Sequence, residues 1–582
     1  MLNPTSRRFT TFFAAQAAAI ATAFAPAISF TLGQPTSFTL QEATIYDIQS
    51  AFEANLLTSQ QLVQLYLNRI EAYDVYDGDG PQTKINSILT LNPEALEIAE
   101  ALDLERQQTG PRSLLHGVPI LLKDNVDTFD LPTTAGSVAL EGSIPPDDAF
   151  ITQKLRDAGA IILGKANLTE YANYLTSGMP AGYSSLGGYV FNPYNPVPLA
   201  NGDGRPALSP GGSSAGSGAA IAANFAAVAI GTETSGSILS PANQNSLVGV
   251  KPTLGLASRD GIIPIASSQD TAGPLARTVT DAAILLGAIT GVDPKDPATE
   301  SSAGKTFTDY TPFLKADALN GARIGVPREF FWTTGLSAEQ ATIAENALSV
   351  LRSLGAEVVE ADIATVPLPG SSVLSYEFKR DLNLYLSSLG EDAPVQSLAD
   401  VIAFNNANPE VALKYGQTLA IASQARDLGP FSADTQQYLA DRARDLLLAK
   451  DQGIDAYLNT YNLDAIFFPG TRGANIAARA GYPSVIVPAG YQENGAPFGI
   501  TFSGTAYSEP TLLGLAYAFE QATLYRRPPM SVAPLPGETV AAVPEPTTVT
   551  GLLLGASGLF AARRRKAKAT QEKVKSVSGA RS

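Results

Sequence analysis

The sequence predicts an α/β fold with a substantially parallel central sheet. From residue 111 onward, the short apolar segments VPILLK and IILGKAN alternate with a helical segment, AFITQKLRDAGA. Such alternation is typical of strands and helices that build a layered α/β core. Strand patterns return at DAIFFPG and PSVIVPAG. Most of the 582 residues therefore belong to one large unit, which runs from residue 39 to residue 528 and has no internal repeat.

The helical parts of this unit lie before and after the first strands. Between residues 39 and 110, Leu and Ile recur at spacings of three and four, and Thr58 and Ser59 stand where a helix cap is needed. Residues 335–460 form a helical insertion, and a last long helix covers residues 510–521. Residues 529–542 are rich in Pro, Ala and Val, which is typical of a linker.

The first 29 residues have the order of a secretory signal peptide. Arg7 and Arg8 precede an apolar stretch that ends in small residues, with cleavage expected near Ser29. The protein is therefore expected to be exported to the periplasm, the cell surface or the medium. The adjacent arginines fit a twin-arginine signal only loosely, so the choice between the two export routes stays open.

The C-terminal end carries a second address. Residues 543–566 read VPEPTTVTGLLLGASGLFAARRRK and are followed by a basic extension to residue 582. This tail resembles the PEP-CTERM sorting signal. The resemblance implies transient anchoring in the membrane and, as a partner, a membrane-embedded enzyme that recognises and removes the tail.

Composition excludes several classes of function. The chain has no Cys and one His, His116, so a thiol nucleophile and a His-rich zinc site are impossible. The net charge is −16, and since the signal peptide carries +2 and the residues after Pro546 carry +7, the body between them carries −25. Such an acidic body repels phosphate backbones, so nucleic acid is not expected as a partner.

The densest chemistry lies in SPGGSSAGSGAAIAANFAAVAIGTETSGSILSPA, residues 209–242. A phosphate-binding loop would need a lysine that this segment lacks, and its uncharged helix is too weakly apolar for a membrane span. The GSSAG pentapeptide fits a nucleophile elbow centred on Ser214, but that class needs a His later in the chain, and none follows. A neutral lysine can activate a serine instead, and Lys123, at the end of the apolar run VPILL, is the candidate.

Four motifs together carry a family resemblance. The segments HGVPILLKDNVDT, TTAGS, GGSSAGSGAA and GTETSGSILSPA resemble the amidase signature family, and the likeness extends over residues 39–528. The resemblance implies a mixed central sheet flanked by helices, a Ser–cis-Ser–Lys triad, and no metal or organic cofactor. By motif, the base is Lys123, the bridging serine after a cis peptide bond is Ser213, and the nucleophile is Ser237.

Further site residues follow from their positions beside this triad. Gly236 in the turn before Ser237 allows backbone N–H groups to approach a substrate oxygen as an oxyanion hole. The expected oxyanion-hole residues are Thr234, Ser235, Gly236 and Ser237, and the expected orienting or substrate-lining residues are Asp124, Asn125, Ser214 and Tyr194. His116 is expected to be structural.

The departures from the common motif bear on the substrate. GTETSGSIL places Leu239 where relatives that use glutamine have an Arg to bind a carboxylate, and several other segments resemble the peptide-amidase branch. We therefore expect an exported serine amidohydrolase acting on small amides or peptide amides, with neutral amides preferred over free glutamine. The alternatives are one component of a glutamine amidotransferase and a non-catalytic surface or matrix protein. The sequence does not indicate an oligomeric state.

Overall fold

The computed structural model describes residues 35–74 and 84–541. The predicted signal peptide, residues 1–29, and the sorting signal with its basic extension, residues 543–582, lie outside these described residues. Within them, no helix has the length and apolar character that crossing a bilayer requires.

Fifteen strands and eighteen α-helices are found in the described residues. The strands are β1 Ser37–Thr39, β2 Ile88–Leu91, β3 Pro119–Lys123, β4 Ile161–Ala166, β5 Tyr183–Ser184, β6 Gly188–Tyr189, β7 Val228–Glu233, β8 Val248–Lys251, β9 Thr271–Ala276, β10 Arg323–Val326, β11 Glu357–Glu360, β12 Ala465–Pro469, β13 Ser484–Tyr491, β14 Pro497–Ser503 and β15 Thr539–Ala541. The helices are α1 Ile45–Glu53, α2 Ser59–Tyr73, α3 Ala95–Thr109, α4 Phe150–Asp157, α5 Glu170–Asn173, α6 Ala215–Ala222, α7 Leu239–Gln244, α8 Val279–Ile289, α9 Glu329–Thr333, α10 Ala338–Ser353, α11 Val373–Ser388, α12 Leu398–Ala407, α13 Pro409–Ala412, α14 Thr418–Gln424, α15 Ala433–Leu446, α16 Ala456–Tyr461, α17 Ala474–Ala480 and α18 Glu509–Thr523.

Eleven strands form one mixed sheet, in the order β11-β10-β12-β14-β13-β8-β9-β7-β3-β4-β2. The neighbours β11, β10 and β12 are parallel, as are β7, β3 and β4. The strands between these groups pair antiparallel. The mixed sheet that the family resemblance implied is thus confirmed. The largely parallel sheet expected from the alternation of strands and helices is wrong for the centre, because β13 and β14 are joined by a turn too short for a crossover helix.

The Ala/Gly/Ser-rich segment forms a short helix, α6, that is buried along its whole length. Its small residues are required by close backbone approach: a Cβ on Gly216 would collide with the carbonyl oxygens of both Ser87 and Asn167. The helix contacts strands β3, β4 and β7. The segment is therefore a packing element of the core, and it holds the serine-containing turn before it against the sheet.

The predicted helices before and after the first strands are present. Thr58 caps α2 through a reciprocal pair of hydrogen bonds with Gln61, as its position in the sequence indicated. The helical insertion comprises α10 to α16, interrupted by β11, and much of it packs around a separate apolar cluster. The last long helix, α18, packs against β13 and α8.

The Pro-rich segment after α18 lies against the body rather than extending away from it. Its strand β15 pairs antiparallel with β1, with Ser37 opposite Ala541. The fully buried guanidinium of Arg69 donates to the carboxylate of Glu538 at 2.8 Å and to the carbonyl of Ala533 at 3.1 Å. The residues expected to be a linker, 529–542, are therefore anchored as far as residue 541.

Candidate active site

Lys123 is the last residue of β3, and the sheet places it in the interior. All five residues of β3 are buried, and the neighbouring strands β4 and β7 run parallel to it on both sides. The Lys123 side chain has no exposed surface. A lysine at this position must therefore use its ammonium or amine group within the protein.

The Nζ atom of Lys123 meets three oxygen atoms. It donates to Ser213 Oγ at 2.8 Å, to Thr232 Oγ1 at 2.8 Å and to the Thr232 carbonyl at 3.3 Å. Thr232 Oγ1 also accepts from Asn125 Nδ2 at 3.0 Å. Burial lowers the pKa of Lys123 to about 7, although the charges of Asp270 and Glu233 act in the opposite direction. A substantial fraction of Lys123 is therefore neutral at neutral pH and can accept a proton.

Ser213 occupies the turn before α6. The Gly212–Ser213 peptide bond is cis, as the family resemblance implied. The Ser213 carbonyl accepts from the backbone N–H of Thr169 at 2.9 Å, and its side chain is fully buried. A side chain at position 212 would collide with Thr169 Oγ1, so glycine is required there. These contacts hold Ser213 Oγ beside Lys123.

Ser214 joins this turn to the one that carries Ser237. Its Oγ lies 2.6 Å from the Ser237 carbonyl, and its backbone N–H donates to the same oxygen at 3.2 Å. Ser237 is 8% exposed and so reaches solvent-accessible space, whereas Ser213 and Lys123 are fully buried. Among the described residues, Ser237 Oγ has no hydrogen-bond partner. Lys123 and Ser213 are thus hydrogen-bonded directly, whereas Ser213 and Ser237 are connected through Ser214, whose Oγ and N–H both contact the Ser237 carbonyl.

The turn from Thr234 to Ser237 leaves backbone donors free. Gly236 has φ +86°, a conformation that favours glycine. Glu233 Oε2 accepts from the N–H groups of Ile238 and Leu239, at 2.8 and 3.0 Å. Within the described part of the chain, no group accepts from the N–H of the three residues before them, Ser235, Gly236 and Ser237. Free amides on a glycine-containing turn are the donors that an oxyanion hole needs.

Thr234, also expected in the oxyanion hole, is held through its side chain. Its Oγ1 donates to Asp270 Oδ1 at 2.5 Å, while Asp270 Oδ2 accepts from the N–H groups of Ile265 and Ala266 at 2.8 Å each. Burial raises the pKa of Asp270 to about 7. Asp270 was not predicted from the sequence, although a charged residue directly before the apolar strand β9 was a signal for it.

The other predicted residues divide into two groups. Asn125 contacts Thr232 and so supports the Lys123 site. Asp124 is buried and faces Thr134 and Lys165, with its Oδ1 3.5 Å from Lys165 Nζ, and it makes no hydrogen bond to Lys123. Tyr194 donates to the Arg527 carbonyl at 2.5 Å and packs on Tyr491, so it does not line the cavity beside the serines.

His116 lies in the turn before β3, and both of its ring nitrogens are hydrogen-bonded to backbone groups. Nε2 lies 2.9 Å from the Leu102 carbonyl, and Nδ1 accepts from the N–H of Arg112 at 3.3 Å. Burial lowers the pKa of His116. Its contacts fit a structural residue, as expected from the sequence.

A cavity of about 410 Å³ lies beside the two serine turns. One wall is formed by Gly212, Ser235, Gly236 and Ser240, and the other walls include Phe330, Phe331, Thr471 and Arg472. Leu239 is fully buried and contributes nothing to the lining. This volume suits a small organic or dipeptide-sized ligand.

Arg472 is a second residue that was not predicted from the sequence. It lies three residues after the end of β12, and a charged residue shortly after a buried strand was the available signal. Lys379 and Arg380, the basic residues that could have turned toward the site, are engaged elsewhere: Lys379 with the Gln424 carbonyl and Arg380 with Asp381.

Comparison with known proteins identifies the class. Residues 61–513 match the family described as Amidase, so the chain belongs to the amidase family. The fold and the family together make it a hydrolase of the amidase type.

Individual relatives are consistent with this assignment. The chain is 40% identical over 495 residues to a probable amidase of Arabidopsis thaliana, covering 83% of this chain and 90% of the relative. It superposes on the peptide amidase from Stenotrophomonas maltophilia with a TM-score of 0.75 and 42% identity, covering 84% and 99% of the two chains. A glutamyl-tRNA(Gln) amidotransferase component of Microcystis aeruginosa is 35% identical over 490 residues, covering 80% and 94%.

Proposed function

We propose that the protein is an exported serine amidohydrolase that cleaves carboxylic amides, including peptide amides, through an acyl-enzyme. The observation that carries this proposal is the buried 2.8 Å hydrogen bond from Lys123 Nζ to Ser213 Oγ. Beside it lies the 235–237 turn, whose N–H groups have no acceptor among the described residues. A base, a bridging hydroxyl, a candidate nucleophile and oxyanion donors are then adjacent. The likeness to a peptide amidase supports the substrate class.

In the proposed reaction, Ser237 Oγ attacks the amide carbonyl carbon. Its proton passes to Ser213 Oγ as the Ser213 proton passes to the neutral amine of Lys123. The oxygen of the tetrahedral intermediate accepts hydrogen bonds from the N–H groups of the 235–237 turn. The C–N bond then breaks, and the leaving nitrogen takes a proton back through Ser213. A water molecule then attacks the acyl-enzyme ester on Ser237 through the same proton transfers, which releases the carboxylic acid and restores the Ser237 hydroxyl.

Two features support a substrate other than free glutamine. The cation that glutamine-using relatives place after the nucleophile is replaced by Leu239, which is buried in the apolar core. A carboxylate held next to the nucleophile turn itself, where Leu239 stands, would lose solvation without gaining a cationic partner from that turn. The acidic body adds a field that disfavours small anions.

The export part of the proposal rests on the two terminal segments. Neither the signal-like segment, residues 1–29, nor the PEP-CTERM-like segment, residues 543–566, contains a proposed catalytic residue. We infer that the first directs export and that the second is recognised and removed by a membrane enzyme.

One preparation of purified protein can test the activity. A fluorophosphonate probe is expected to label Ser237, and kcat/KM is expected to be higher for an acetylated dipeptide amide than for free glutamine. Glutamine as the better substrate would favour the amidotransferase alternative. Absence of both labelling and hydrolysis in the folded protein would favour a non-catalytic role.

A further inference from the structure

The cavity beside the serine turns holds one charged group. Of the described residues that line it, Arg472 alone carries a charge, and the others are Gly, Ser, Thr, Phe, Ala and Asn. The wall that contains Arg472 is formed by residues 330–334 and 471–475, whereas the serine turns contribute Gly212, Ser235, Gly236 and Ser240. A ligand in this cavity would therefore contact the serine turns on one wall and a cation on another.

The guanidinium of Arg472 is only weakly engaged by the protein. Its Nε donates to the Phe331 carbonyl at 3.3 Å, and one terminal nitrogen donates to Thr334 Oγ1 at 3.4 Å. Among residues 35–74 and 84–541, no carboxylate forms an ion pair with it. Its pKa is lowered by burial, with no acidic neighbour to offset that effect. A partly buried guanidinium with long hydrogen bonds retains donor capacity for a ligand.

Two other arginines, which line another cavity of the body, are paired with carboxylates. Arg259 pairs with Asp296, and Arg380 pairs with Asp381 and Glu377. Arg472, by contrast, lines its cavity without a carboxylate partner among the described residues, although the chain carries a net charge of −16. A substrate carboxylate supplies the missing partner.

We propose that Arg472 is a specificity-determining residue that binds a carboxylate carried by the substrate at a distance from the amide to be cleaved. The inference rests on the proposed amidase function and specifies its substrate class: amidated peptides with an acidic side chain before the terminal residue. Free glutamine does not meet this requirement. Its carboxylate carbon is only four bonds from its amide carbon, so the two groups are too close together to occupy separate parts of the cavity. The substrate carboxylate and the scissile amide are thus bound by separate parts of the cavity.

The test compares three acetylated dipeptide amides, acetyl-Glu-Leu-NH₂, acetyl-Gln-Leu-NH₂ and acetyl-Lys-Leu-NH₂. The wild-type enzyme is expected to give a kcat/KM about tenfold higher for the Glu peptide than for the Gln peptide, as one charge-assisted hydrogen bond would produce. In Arg472→Gln this ratio falls toward one, and in Arg472→Lys it is partly kept, because the charge remains without the planar fork. The Lys peptide is expected to be the poorest wild-type substrate.

Arg442→Gln is the matched control. Arg442 also lacks a carboxylate partner among the described residues, donating to the Arg479 and Ser268 carbonyls, but it does not line the cavity. Removing its charge is expected to leave the Glu/Gln ratio unchanged. The wild-type ratio should also fall as the KCl concentration is raised from about 0.02 to about 0.5 M, which provides a measurement independent of any variant.

The outcomes separate the two proposals. Hydrolysis of all three peptides with equal kcat/KM, or an equal ratio in wild type and Arg472→Gln, overturns the role of Arg472 and leaves the amidase function standing. No hydrolysis of any peptide, together with no labelling of Ser237, overturns the proposed function itself.

Discussion

Lys123 and Ser213 are joined by a 2.8 Å hydrogen bond in which neither side chain has any exposed surface. Water therefore does not compete for either group, and the bond holds the lysine amine beside the bridging hydroxyl. The same burial that isolates the pair lowers the pKa of Lys123 to about 7. The packing around the end of β3 thus determines both the position of the Lys123 amine and its protonation state.

Replacing the nucleophile or the base should abolish turnover. Ser237→Ala and Lys123→Ala are each expected to lower kcat/KM for an amidated dipeptide by about 10³-fold or more, because each removes a group that the acyl transfer requires. Circular dichroism should show that both variants are folded. Substantial activity in either folded variant would contradict the assignment.

The single histidine is expected to be dispensable for chemistry. His116→Asn should keep kcat/KM within about threefold of the wild-type value, since the hydrogen bonds of the His116 ring go to the backbone of Leu102 and Arg112 and not to any proposed catalytic residue. The same substitution should lower the free energy of unfolding by about 1 kcal/mol per lost hydrogen bond. Loss of fluorophosphonate labelling in a folded His116→Asn protein would argue against lysine as the base.

Activity should decline on acidification with an apparent pKa near 7. Below this value Lys123 is protonated and its nitrogen has no lone pair to accept the Ser213 proton. The charge of Asp270 raises the pKa of Lys123, so Asp270→Asn should move the acidic limb of kcat/KM to lower pH. Burial also raises the pKa of Asp270 to about 7. The acidic limb of the wild-type enzyme therefore reflects the coupled titration of Lys123 and Asp270 rather than of Lys123 alone. A limb displaced to higher pH in Asp270→Asn would show that another group controls it.

The docked C-terminal segment should contribute to stability. Glu538→Gln leaves the buried charge of Arg69 without its carboxylate and is expected to cost about 3 kcal/mol of unfolding free energy. The matched control is Glu357→Gln, which removes a pair with Arg323 at the surface and should cost less than about 1 kcal/mol. Denaturant titration measures both, and equal effects would show that the buried pair has no special role.

Removing the C-terminal tail should separate location from catalysis. A chain truncated after residue 542 is expected to hydrolyse amidated dipeptides with unchanged kcat/KM, because every proposed catalytic residue and Glu538 are retained. In cells, the truncated protein should no longer be found in the membrane fraction. A truncated protein that is folded but inactive would make the tail part of the enzyme.

The residues proposed as the triad are recognisable in the sequence because their motifs are local. Lys123 ends an apolar strand, and Ser213 and Ser237 lie in glycine-containing turns whose order along the chain identifies them. The sheet order could not be derived from the alternation of strands and helices alone, since pairing between β8, β9, β13 and β14 depends on contacts far apart in sequence. The apolar run of β3 predicted that the strand is buried, and the same pattern predicted that burial lowers the pKa of Lys123.

Residues that act across long sequence distances were not found from the sequence. Arg472 reaches the cavity from a loop 235 residues after Ser237, so no spacing connects the two. Tyr194 was expected near the substrate because of its neighbours in sequence, yet its hydroxyl bonds to Arg527. The anchoring of the Pro-rich segment likewise depends on Arg69, more than 450 residues earlier, whose burial no local pattern indicates.

The pairing of Ser37 with Ala541 would have a geometric consequence for the proposed export of the protein. The segments before β1 and after β15 start from adjacent points on the body. A membrane-bound signal peptide and a membrane-bound sorting tail would thus hold the same side of the protein toward the bilayer. The orientation adopted at the translocation machinery would then be kept when the tail is processed, and the folded body would not have to turn over between the two steps.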